Sequence, residues 1–148
     1  MPFRFPLQAV LRYRKSIEET EELRLKALFA RRVTLSQELA ALRLQSSALS
    51  EAARLALERG PIYAAEIHFV SRQQEAMATR ARLLASALRE LQNEVEQQQG
   101  RLARARRDRE SLDTLREAQF KEYQQIQQRR EQATRDEIYL MRRMRVRA

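Results

Sequence analysis

The sequence predicts an all-α protein, a long two-helix antiparallel coiled-coil hairpin with an overhanging C-terminal helix end. Three observations predict it. Apolar residues recur every 3.5 positions over most of the chain, a repeat that keeps one apolar stripe on a helix winding gently around a partner. The 148 residues are 33% charged and include only two Gly and three Pro, a composition of long helix rather than of a mixed domain. The one strong helix breaker inside the chain is Gly60-Pro61. No stretch alternates as a strand does, and no Gly-rich turns could close β-hairpins. The expectation is a single α-hairpin over residues 1–148, with helix one at about 6–59, a turn at about 60–64 and helix two at about 65–143.

The opening Met-Pro-Phe-Arg-Phe-Pro cannot start a helix early. Proline fixes φ and pushes the residue before it toward extended geometry, but Pro6 suits a first helical turn, where its missing N–H costs nothing. Helix one then shows a clear seam from Leu25 through Leu28, Arg32, Leu35, Leu39, Leu42, Ser46, Leu49, Ala53 and Ala56. Upstream the phase is blurred: Leu7, Val10 and Ile17 share one face, with Leu11 beside it. The acids Glu18, Glu19, Glu21 and Glu22 read as a solvated face that also favours the helix N-terminus.

Gly60 can end helix one just past Arg59, and Pro61 cannot continue it. A connection this short makes the two helices antiparallel neighbours. It pairs residue i with roughly residue 121 − i, so that the Leu-rich stretches of both helices face each other.

Helix two keeps one unbroken register from Ile67 to Met144. Its seam is Leu-rich up to Leu102 and turns polar after it, through Arg109, Arg116, Arg130 and Glu137. Residues beyond roughly 117 are expected to find no partner in the chain, and are either frayed or held by a second protein. Gly100 reads as a tolerated exposed position between Gln98 and Leu102.

Several function classes are excluded. With no cysteine, disulfides and thiolate metal sites are out. His68, the lone histidine, has only Glu66 near it and makes no metal site. No nucleophile–base pair or phosphate-cradling Gly loop is present, and a two-helix hairpin is expected to offer no pocket on the ~300 Å³ scale. The expectation is no enzyme, no cofactor and no metal. No run approaches the ~20 apolar residues of a membrane span, and no signal-peptide core is evident. The protein reads as soluble and cytoplasmic, without direct membrane insertion.

Function then has to come from surfaces. The net charge of +9 is uneven: 10 basic and 7 acidic residues in 1–58, 5 and 5 in 59–100, 14 and 8 in 101–148. The hairpin should bring Arg4, Arg12, Arg14 and Lys15 near Arg104, Arg106, Arg107 and Arg109, a basic end suited to an acidic protein surface or to phosphates. Near the turn, Phe69, Ala76 and Leu83 lie seven apart on an off-seam stripe and offer a protein contact. A nucleic-acid-binding basic coiled coil is the alternative of a different class. Against it, the basic residues lie within and after the heptads, mixed with acids, and lack the Asn expected for base reading. A self-pairing filament is disfavoured by the polar seam residues Arg32, Ser46, Arg109 and Arg116.

The run Phe3-Arg4-Phe5-Pro6-Leu7-Gln8-Ala9-Val10-Leu11-Arg12-Tyr13-Arg14-Lys15, followed by Glu18, resembles the start of the FliJ family of flagellar type III export proteins. The run Glu131-Gln132-Ala133-Thr134-Arg135-Asp136-Glu137 is similar to the family's C-terminal region, where members often carry Asp-Glu, and length, two-helix layout and mid-chain turn agree over the whole chain. The resemblance implies an antiparallel coiled coil similar to the terminal helices of the rotary ATPase γ subunit. It implies two main partners, the hexameric flagellar export ATPase and the membrane export gate protein, with export chaperones as further ones, and a position peripheral to the inner membrane at the flagellar base. On this basis Phe5, Leu7, Leu11, Arg12, Arg14, Asp136 and Glu137 are expected to bind the ATPase. Phe69, Ala76 and Leu83 are expected to bind the gate. The equivalent stalk of a virulence-type III system is the near alternative.

Overall fold

The structure, a computed structural model, describes residues 2–147. They form two helices, α1 (Gln8–Arg59) and α2 (Ala64–Arg147), and among the described residues there is no strand. The protein is an all-α, antiparallel two-helix hairpin.

The helix starts follow local chemistry. Pro6 and Leu7 make a turn, in which the Gln8 N–H donates to the Phe5 carbonyl at 3.1 Å and the Leu11 N–H to the Leu7 carbonyl at 2.9 Å. Helix α1 therefore begins at Gln8, two residues after the expected start. At the turn Gly60 has a φ of +147°. A positive φ is what a glycine past a helix end can adopt, but the region is the mirror image of extended backbone rather than the left-handed helical cap. Nothing lies within 4 Å of where a Cβ would sit, so backbone conformation, not crowding, is what glycine serves here. The Tyr63 carbonyl accepts the Glu66 and Ile67 N–H groups at 3.0 and 3.3 Å and so launches α2. Glu66 lies in its first turn, where the helix dipole favours a carboxylate.

The chain divides into two compact units. The turn unit is Glu21–Leu102. Its buried residues are Leu39, Leu84, Leu91, Val95 and Leu102, with Gln98 among them. All six fall on the 3.5-residue seam, because only that face of each helix meets the other. Across the seam Arg32 Nη1 donates to Gln92 Oε1 at 3.3 Å, and Gln74 Nε2 to Ser50 Oγ at 2.9 Å. Each pair of numbers adds to 124, where a fold point between 60 and 61 predicts 121. The shift follows from the non-helical stretch at 60–63, which moves the fold point downstream.

Toward the turn the seam thins. Ala53 is half-buried, while Ala56 and Ile67 are exposed. Alanines at 52, 53 and 56 are too small to fill the space between the backbones, and a groove of about 490 Å³ opens there, walled also by Leu49, Ile62 and Val70. This corrects the expectation that a two-helix hairpin holds no such pocket. Gly100 is exposed, helical and free of any Cβ clash, with the helix continuing through it.

The unit of the termini comprises residues 2–20 and 103–147. Its buried residues are Phe5, Leu11 and Ala105. Leu11 is fully buried and Ile17 half-buried, whereas Leu7 and Val10 are exposed, so the inward face here is set by Leu11 and not by Leu7 and Val10. The Phe3 ring packs on α2, 5.3 Å from Phe120 and 5.5 Å from Tyr123 between centroids. Pairing thus reaches Tyr123 rather than stopping near 117, because the non-helical leader spans further along α2 per residue than a helix does. From residue 128 to 147 every side chain is exposed, yet α2 remains helical to Arg147.

Candidate functional site

The unit of the termini holds a charged layer inside its seam. Arg109 on α2 donates from Nε to Glu18 Oε2 at 2.6 Å and from Nη2 to Glu18 Oε1 at 3.3 Å. Its Nη1 donates to Asp113 Oδ2 at 2.8 Å. Arg106 Nε adds a contact to Glu18 at 3.6 Å, and Arg14 Nη1 donates to Asp108 Oδ2 at 3.3 Å. The Glu18 side chain is only 16% exposed. The Glu18 carboxylate first, and Asp113 second, hold the Arg109 guanidinium protonated still more firmly than usual. Arg109 forms two hydrogen bonds to one carboxylate, the fork geometry that arginine alone offers.

A related pairing lies in the turn unit. The Gln98 amide, buried on α2, donates to the Glu21 carbonyl at 3.1 Å and to the Glu21 carboxylate. Glu18 and Glu21 are therefore seam residues with partners, which corrects their reading as a solvated face. Arg109 is likewise engaged within the chain and does not belong to the outward basic surface.

The outward surface lies further along α2. Residues 128–147 carry seven arginines against three acids. Exposed on the same stretch are Ile138, Tyr139, Leu140, Met141, Met144 and Val146. At 100° per residue these six point to every side of the helix, not to one stripe. The seam positions Ile126, Arg130, Ala133, Glu137, Leu140 and Met144 are all uncovered.

The sequence-derived contact residues differ in what they present. Around the start of α1, Leu7 and Arg12 are exposed, Arg14 is half-exposed and paired with Asp108, and Phe5 and Leu11 are buried. The last two hold the leader and the first turns against α2 and offer no outward surface. Asp136 and Glu137 are exposed on α2, roughly 20 Å of helix beyond Tyr123 at 1.5 Å per residue. In the turn unit Phe69, Ala76 and Leu83 are exposed along one face. Leu55, Leu57, Tyr63 and Ile67 are also exposed around the turn. Leu57 and Tyr63 went unread, although an off-seam apolar residue beside a turn was signal enough. Among the described residues no three His, Cys, Asp or Glu gather as a metal site, and no helix is long and apolar enough to cross a membrane.

A family model described as the flagellar FliJ protein matches residues 3–148, which takes in the leader and both helices. The chain belongs to the FliJ family. Members of the FliJ family are non-enzymatic components of the flagellar protein export apparatus. No curated protein and no solved structure matches the chain. Glu18 and Arg109 are engaged with each other within the chain, which leaves the exposed surfaces of both helices as the candidates for contact.

Proposed function

We propose that this chain is the stalk of the flagellar export machinery, with its unit of the termini seated in the hexameric export ATPase and its turn unit contacting the membrane export gate. The observation that carries the reading is the uncovered end of α2. A helix with apolar side chains on all sides, interleaved with arginines, is poorly served by a flat groove, which buries one stripe only. A host that surrounds it buries all of them, and an acidic lining answers the seven arginines of residues 128–147.

In this reading Leu7 and Arg12 meet the ATPase beside that helix, with Asp136 and Glu137 further along it, while Phe5, Leu11 and Arg14 hold the α1 end in place. The exposed Phe69, Ala76 and Leu83 form the gate contact. The stalk promotes ring assembly and couples ATP hydrolysis to export, and export chaperones are further partners. The protein works at the cytoplasmic side of the flagellar base, held at the membrane by its partners. The experiment is to mix it with the export ATPase and measure hexamer formation and turnover. A rise in both is expected. No change in either at stoichiometric excess contradicts the proposal.

A further inference from the structure

We infer that Phe3 is a releasable strap that covers the first open seam position of α2 until a partner takes its place. The inference rests on the stalk reading for the identity of that partner, but its structural half stands alone. The seam of α2 runs through Gln119 and Tyr123 into the uncovered positions from Ile126 to Met144. Whatever follows that seam inward from the end of the helix meets Tyr123 next. Phe3 already occupies it, with its ring tilted 46° on Tyr123 and edge-on at 63° to Phe120.

The leader is held unevenly. Phe5 is buried and its carbonyl receives the Gln8 N–H, so the leader is anchored there. Phe3, two residues outward, is only half-buried. Two open hollows of about 290 Å³ each flank it, one walled by Asp113, Glu117 and Phe120 and the other by Arg4 and Gln8, with Arg116 on both. A ring with open space on two sides lacks the close packing that fixes core side chains. Lifting Phe3 therefore leaves the Phe5–Leu11 core intact and uncovers the Phe120–Tyr123 surface as one continuous strip with the seam beyond. A partner must displace the strap first, so its apparent affinity is its intrinsic affinity multiplied by the fraction of molecules in which the strap is lifted.

The test uses Phe3→Ala in the full chain, with two readouts. In the free protein, amide hydrogen exchange over residues 118–127 is expected to quicken about tenfold while residues 84–105 keep their rates. Toward the export ATPase, the variant is expected to bind about three- to tenfold more tightly. Because the chain contains no tryptophan, Phe3→Trp adds a single reporter, whose emission should be shielded in the free protein and shift to the red when the ATPase is added. Unchanged exchange over 118–127 overturns the strap. Quickened exchange with equal or weaker ATPase binding overturns the competition and makes Phe3 a packing or contact residue. If neither protein binds the ATPase, the stalk reading and the competition both fall, and the exchange rates still show whether Phe3 covers the seam.

Discussion

Glu18 and Arg109 meet at 2.6 Å across the seam although ninety-one positions separate them in the chain. A charged pair at seam positions costs stability relative to Leu, but it favours one register, since a slip of one turn breaks the two-bond contact between Glu18 and Arg109. The pair, with Asp113 and Arg106 around it, makes this layer selective.

Removing the carboxylate should therefore lower stability without loss of helix. Glu18→Ala is expected to lower Tm by a few degrees, and less than Leu11→Ala, which deletes a fully buried side chain at a cost of about 2–5 kcal/mol. The charge swap of Glu18→Arg with Arg109→Glu should rescue only in part, because a glutamate at 109 would face Asp113. Thermal melts of the three variants and the parent check the order.

The two glycines should respond in opposite directions. Gly60→Ala places a Cβ on backbone at φ +147° and is expected to destabilise by about 1–3 kcal/mol. Gly100→Ala sits mid-helix with open space around it and is expected to stabilise by about 1 kcal/mol. Chemical denaturation of both variants checks the pair, and a loss of stability at 100 contradicts the account.

Much of this fold is legible in the residues. Leu84, Leu91, Val95, Gln98, Leu102 and Ala105, the buried residues of α2, all lie on the repeat counted from Ile67. Gly60-Pro61 locates the turn. The α1 seam upstream of Leu25 is harder to see because Arg14, Glu18 and Glu21 occupy it, and apolar periodicity is blind to a seam built of charges. The exposed Leu7 and Val10 supply a false face beside it. The reach of Phe3 to Tyr123 was hidden for another reason: an extended leader has no periodicity to read. The groove near the turn depends on small side chains at 52, 53 and 56, which still count as apolar in the pattern.

The surface pair Glu51–Arg54 makes a pH prediction. Arg54 donates to the Glu51 carboxylate at 2.6 Å and holds it below its ordinary value of 4.5. A carboxylate depressed in the folded state adds stability that is complete above its unfolded pKa and is lost as pH falls through the folded one. The Glu51 titration seen by NMR is expected to have its midpoint below 4.5 and to return toward it in Arg54→Ala. The part of any stability difference between Arg54→Ala and the parent that comes from the Glu51 contact should vanish once pH is well below that midpoint.

The most direct test of the stalk reading is a Leu140→Asp, Met144→Asp double variant assayed for stimulation of the export ATPase. Both side chains are exposed and touch no part of α1, so Tm and helicity should stay within the small range of surface substitutions. Stimulation of hexamer formation is expected to fall about tenfold or more, since two carboxylates then enter a site that must desolvate them. Stimulation equal to that of the parent, by a variant with unchanged Tm, would contradict the stalk reading.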